Sequence, residues 1–258
     1  MASMDRTILG IFLLLAALPA DHATAERPVT VSAEVVRAEP GRTTLLWTFD
    51  LAGDWHLYGP HRNDSGQPPT VSWDLPDGWS AAPLTGWPRP RRHVVADLIL
   101  DHVYERRLVL SQTLSHPSGS ARRPLDASLR WLVCDEMCVP GDTVITVSVP
   151  DTPAGGAAAR WQRYVAATPG PLPADRFAVE RGAGTIAFSV PGAARLEFVP
   201  DVRGPRLADL VADGAAAGPS LVLRLAEPAP RDTLSGLLII DHNNGDTSLG
   251  TVRVPVNP

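Results

Sequence analysis

The chain has 258 residues, enough for one large or two ordinary domains, and is 44% hydrophobic with 26 prolines. So many prolines disfavour long helices and favour strand edges, loops and turns. The net charge of −5 is mild and argues against a nucleic-acid partner, and every basic residue is arginine, which we read as compositional bias.

The chain opens with Arg6, an apolar run from Ile8 to Leu18, and the small residues Ala23-Thr24-Ala25. The order of charge, apolar run and small residues predicts a signal peptide over 1–25, cleaved before Glu26. A buried N-terminal helix is the competing reading. The run is too short to cross a bilayer, which takes about 20 apolar residues. The most apolar later stretch, Leu234 to Ile240, is only strand-sized, so no membrane span is expected. The expected location is the periplasm, which permits disulfides.

From Val29 the sequence alternates apolar and polar residues with period two, the mark of half-buried strands. Strands are predicted at Val29 to Val36, Thr43 to Leu51, "WHLYG", Thr70 to Leu75, Tyr104 to Leu114, "ASLRWLVC" and "DTVITVSV". Turn signals between them argue for an antiparallel β-sandwich over 26–150. "RPRRH" (Arg89 to His93) reads as a solvated loop. Residues 151–173 read as a linker with a short docking helix at Ala157 to Ala167, where Trp161 and Tyr164 share a face. Strand-like runs resume in "GTIAFSV", "ARLEFV", "SLVLRLA", "LSGLLIID" and "LGTVRVPV", giving a second, smaller β domain over 174–258.

"RWLVCDEMCVPG" (Arg130 to Gly141) holds both cysteines, Cys134 and Cys138. A disulfide needs Cα atoms about 4.4–6.8 Å apart, and four extended residues span roughly 13 Å. The chain must therefore turn between them, at the mouth of a hairpin. A bridge closing so short a loop stabilises by only about 2 kcal/mol, which favours a redox pair over a staple. A local structural disulfide remains open, as does soft-metal binding through Cys134, Met137 and Cys138. Asp135 and Glu136 disfavour a thiolate, so the pair reads as one addressed by a more reactive dithiol. His56 and His102 lie on strands that can approach the cysteines, although ordinary half-buried histidines are the commoner case. No cofactor or metal pattern is present, and none is expected to bind.

The order "GDWHLYGPHRNDSGQPPTVSWDLPDGW", "GWPRP", "VYERRLVL", "WLVCDEMCVPG" resembles the N-terminal periplasmic domain of the thiol:disulfide interchange protein DsbD, in the branch of the suppressor-of-copper-sensitivity protein ScsB. The resemblance covers roughly residues 29–150 and more weakly the β segment after it. It implies an immunoglobulin-like sandwich with a redox pair, Cys138 attacking and Cys134 resolving. It implies thioredoxin-like periplasmic partners and a separate membrane electron transporter. It also implies a shielding loop at about Val94 to Asp101, which here has no aromatic residue and leaves Leu98 or Ile99 to do the shielding. His56, Tyr58, Tyr104 and Trp131 are the other expected neighbours of the pair. The expected function is a protein-disulfide reductase, a thiol–disulfide relay through Cys134 and Cys138. The alternative is a non-enzymatic copper-binding or transporter-interaction module with a structural disulfide.

Overall fold

Alternating side chains point to opposite sides of an extended backbone, so each period-two run can bury one face and wet the other. In a computed structural model describing residues 27–120, 123–149, 152–227 and 232–256, nearly every such run is a strand. The expected signal peptide lies outside the described residues. The first ten strands are β1 (Val29–Glu39), β2 (Arg42–Leu51), β3 (His56–Tyr58), β4 (Thr70–Trp73), β5 (Ser80–Ala81), β6 (Arg91–Val95), β7 (Ile99–Glu105), β8 (Arg107–Ser115), β9 (Arg123–Cys134) and β10 (Cys138–Val149). They form two antiparallel sheets, one in the order β1-β2-β8-β5 and the other β10-β9-β3-β7-β6, with β4 added against β9. The fold is all-β and immunoglobulin-like. Its core takes Leu45, Trp47 and Phe49 from β2, Leu57 from β3, Leu108 and Leu110 from β8, and Leu129 and Val133 from β9. The buried Trp47 indole donates to Gln112 Oε1 at 2.9 Å, so no polar atom is stranded there.

Two expectations are corrected. Tyr104 to Leu114 is not one strand. Glu105 ends β7 in one sheet, Arg107 begins β8 in the other, and Arg106 between them has φ 61°. Three polar residues in a row, Glu105, Arg106 and Arg107, break the alternation at this corner. "RPRRH" is not simply a solvated loop, since Arg91–Val95 is β6, paired with β7 from Arg91↔Val103 to Val95↔Ile99. Its arginines line a strand whose partners lie elsewhere in the chain.

The helix α1 (Ala157–Ala167) follows, at the expected residues. Its Trp161 and Tyr164 rings stack at 5.4 Å, and the Tyr164 hydroxyl donates to the Thr85 carbonyl at 2.9 Å and accepts from the Ser111 amide at 3.1 Å. Arg160 pairs with Glu34 of β1. A 3₁₀ turn at Ala174–Arg176 leads into β11 (Ala178–Gly182), β12 (Thr185–Ser189), β13 (Ala193–Pro200), the short helix α2 (Leu210–Asp213), β14 (Ala215–Ala217), β15 (Ser220–Arg224), β16 (Thr233–His242) and β17 (Thr247–Pro255). These strands make a second sandwich with sheets β11-β12-β15 and β14-β13-β16-β17 around Ile186, Phe188, Leu196, Phe198, Leu223 and Leu238. The short elements β5, β11, β14 and α2 were not anticipated.

The two sandwiches meet along a polar seam. The Arg62 amide donates to the Pro200 carbonyl at 2.9 Å and its guanidinium to the Val202 carbonyl at 2.8 Å. His61 forms an isolated bridge with Asp201, and its ring lies 5.9 Å from that of His102. Burial pushes His61 down to about 3, with the neighbouring His102 adding to it. Burial likewise pushes His102 down to about 4, against a hydrogen bond to the Arg62 carbonyl. Both rings therefore stay neutral in the folded chain over a range in which the unfolded chain protonates them. The stability this confers is present above the unfolded value of 6.5 and is lost as pH falls toward the folded values. We expect the melting temperature to begin falling below pH 6.5, before ordinary carboxylates protonate below about pH 5. The His61→Gln, His102→Gln double variant should show a shallower fall, and an identical profile would count against this assignment.

Candidate functional site: a cysteine pair at a hairpin mouth

Strands β9 and β10 are a hairpin in which Cys138 stands directly opposite Cys134. Asp135, Glu136 and Met137 make the turn, closed by the Asp135 amide donating to the Met137 carbonyl at 3.2 Å. The Cα atoms are 4.1 Å apart and the two cysteines are joined as a disulfide. The turn required by chain reach is thus a cross-strand pair. The two sulfurs differ in access: Cys134 is 2% exposed, whereas Cys138 lies in the open with Met137, which is 71% exposed.

Strand parity decides what surrounds them. Cys134 clusters with Leu132, Tyr58 and Val103 on the face of the sheet turned away from the main core. Trp131 and Val133 point the other way, into the core. Trp131 packs edge-on against Phe49 at 6.3 Å and fills the space beside Gly141, where a Cβ would come within 2.4 Å of the indole nitrogen. Trp131 is therefore a core residue and not a neighbour of the sulfurs. The same holds for Tyr104, which sits beside Leu57 in the core and donates to the Pro88 carbonyl at 3.0 Å. His102 goes to the seam with His61 and not to the cysteines.

His56 and Tyr58 do reach the pair. His56 is paired across the strands with Cys134. The Tyr58 hydroxyl donates to Cys134 Sγ at 3.0 Å and lies 3.6 Å from Cys138 Sγ. The His56 ring is 5.4 Å from Tyr58 and 5.1 Å from His93, a residue of β6 that the sequence did not single out. Burial raises the Tyr58 hydroxyl above its usual range, with Ser65 opposing and Asp101 adding to the rise. At neutral pH it is a protonated donor. Burial lowers His56, and His93 lowers it further.

A loop that sequence reasoning passed over holds Tyr58 in place. Asn63 Oδ1 accepts from the His102 amide at 2.8 Å, Asp64 Oδ2 accepts from the Leu100 amide at 2.8 Å, and Asp101 accepts from Ser65 through its amide at 2.9 Å and its hydroxyl at 2.6 Å. Gly66, at φ 60°, then lies flat on the tyrosine ring, and a Cβ there would come within 2.2 Å of it. Glycine alone suits both the backbone and the contact. The stretch "NDSG" carried a turn signal that could have marked this loop. The expected shielding by Leu98 or Ile99 is not what is found. Both sit at the β6–β7 turn, 79% and 41% exposed, where Ala96 and Asp97 adopt left-handed φ. The side chain against the sulfurs is Tyr58. Beside the hairpin runs a groove of about 620 Å³ bounded by Asn63 to Pro68, Arg130, Leu132 and Pro140. Among the described residues no three His, Cys, Asp or Glu side chains are grouped to hold a metal ion.

The arrangement suits thiol–disulfide exchange: one sulfur open to attack, the other buried beside a donor that stabilises it as it leaves. The family model for "Thiol:disulfide interchange protein DsbD, N-terminal" matches residues 25–150. That part of the chain belongs to the DsbD N-terminal family. Residues 25–150 are thus a thiol–disulfide interchange domain, and Cys134 and Cys138 are its bonded cysteine pair. The N-terminal periplasmic domain of ScsB from Proteus mirabilis shares the fold, at 15% identity and a TM-score of 0.63, covering 93% of this chain and 96% of that one. The E. coli chaperone DraB (8% identity, TM-score 0.21, covering 88% of this chain and 98% of that one) and the Pseudomonas aeruginosa CupB2 chaperone (11%, 0.20, 85% and 98%) also match, at a level that carries no structural argument. No curated protein matches the chain. Among the described residues no helix is long and apolar enough to cross a membrane.

Proposed function

We propose that this protein is a periplasmic thiol–disulfide relay that takes electrons from a membrane transporter and passes them to thioredoxin-like proteins through Cys134 and Cys138. The observation that carries the reading is the pairing of an open Cys138 sulfur with a buried Cys134 sulfur held by the Tyr58 hydroxyl at 3.0 Å. In the loading step a thiolate of the reduced partner attacks Cys138 Sγ. The S–S bond breaks, its electron pair goes to Cys134, and Tyr58 donates to the thiolate that forms. The partner's second thiolate then attacks its own sulfur in the mixed disulfide and releases Cys138. The partner is left oxidised and this chain holds two thiols. Delivery is the reverse: Cys138 attacks an oxidised partner and Cys134 resolves. The groove beside the hairpin is where the partner's chain would lie. In this reading residues 1–25 are the export signal, 26–150 carry the exchange chemistry, and 174–258 are a second β domain joined by the 151–173 linker.

Because the bridge closes so short a loop, it contributes only about 2 kcal/mol, and each sandwich has its own core. Reduction is therefore expected to open the pair without unfolding the domain. The test mixes the oxidised mature protein with a reduced thioredoxin-like dithiol and follows thiol alkylation by intact mass, with circular dichroism before and after. Transfer of two electrons with the β signal intact supports the relay. Collapse of the β signal on reduction would make the bridge a structural staple, and a pair that never exchanges would end the proposal.

A further inference from the structure

In the "RPRRH" segment, His93 packs against His56 beside the cysteines. The segment's arginines Arg89, Arg91 and Arg92, from the first sandwich, meet Arg195 and Glu197 of β13 around a pocket of about 520 Å³ at the seam. Glu197 is 3% exposed. Its Oε2 accepts from Arg195 at 3.0 Å, but its Oε1 is buried with no hydrogen-bond partner. Arg92 Nε is likewise buried with no partner, while its Nη2 donates to the Val211 carbonyl. Arg91 pairs with Glu105, and Arg89 and Arg195 share Asp241 at 3.3 and 3.8 Å.

Glu197 and Arg92 both line this pocket, and each keeps a buried polar atom without a partner, which asks for a molecule that donates to the first and accepts from the second. A water does both, and this pocket, more than ten times the about 30 Å³ of liquid volume one water takes, also admits a larger molecule. The guanidiniums select a carboxylate, which they bind in charge-assisted pairs. The unpartnered Glu197 oxygen selects an ammonium and repels a bare anion. We propose that the seam pocket binds a small zwitterion of the α-amino acid class, its carboxylate on Arg92 and the neighbouring arginines and its ammonium on Glu197. The ligand would touch both sandwiches and tighten their docking.

The test is calorimetric titration of the full mature protein with glycine, and then larger amino acids, at fixed ionic strength. Acetate and methylammonium serve as half-probes. Saturable binding is expected for the amino acid and should be at least about tenfold tighter than for either half. Glu197→Gln and Arg92→Gln should each weaken it about tenfold or more, whereas Arg253→Gln, on an exposed position of β17, should not. Should Glu197→Gln fail to fold by circular dichroism, Arg92→Gln decides. A Cys134→Ala, Cys138→Ala double variant should bind as well as the parent, which separates this site from the exchange chemistry. Acetate binding as tightly as glycine would make the pocket a plain anion site and overturn the proposal. So would the absence of saturation at about 10 mM of any amino acid, or binding unchanged in the seam variants.

Discussion

Cys134→Ala, which leaves Cys138 alone, is expected to accumulate a stable mixed disulfide with a thioredoxin-like partner, and Cys138→Ala is expected to trap on the order of 100-fold less. The reason is access. A partner's thiolate must approach in line with the S–S bond, and Cys138 is the sulfur that solvent reaches, whereas Cys134 is 2% exposed beneath Tyr58. Removing the resolving thiol strands the intermediate, and removing the open thiol prevents it from forming. Both variants lose net exchange. Non-reducing gels with the partner present distinguish them. Equal trapping would mean that the two sulfurs are equally accessible in solution, and trapping by Cys138→Ala alone would reverse the roles.

Tyr58→Phe removes one oxygen and little else, because the ring stays clamped under Gly66 and beside Val103 and Leu132. The lost contact is the donor at 3.0 Å from the sulfur that leaves as a thiolate. A hydrogen bond to a charged group contributes about 1.5–3 kcal/mol, so exchange should slow by roughly 10- to 100-fold. The sign of the pH effect follows. Donation to the thiolate favours the charged form, so its loss raises the Cys134 thiol in the reduced protein. Titration of the reduced protein by thiolate absorbance or alkylation rate, parent against variant, measures the shift. A variant that keeps both the rate and the titration would reduce Tyr58 to a packing role.

Local features were readable without any fold. Period-two runs gave the strands, because alternation is a property of neighbouring residues. The helix at Ala157 to Ala167 followed from the break in that pattern, and the turn between Cys134 and Cys138 from bond lengths. Chain reach placed the cysteine pair at a hairpin mouth, strand placement brought His56 toward it, and the family resemblance assigned the two sulfurs their roles. What the chain did not reveal is anything that depends on which face of a strand meets which distant segment. Trp131 and Cys134 are three residues apart and point to opposite faces of β9. Tyr104 belongs to the core although it lies two strands away from the pair. The run from Tyr104 to Leu114 changes sheet at Arg106, where Glu105, Arg106 and Arg107 break its alternation. Tyr58 and Cys134 are 76 residues apart in sequence, and their hydrogen bond exists because two antiparallel pairings bring β7, β3 and β9 side by side. Alternation assigns each strand two faces, but burial chooses between them only when the sheets pack. That packing put the tyrosine hydroxyl on the sulfurs and laid Gly66 on the ring. It also turned a run of arginines toward a buried carboxylate across the seam.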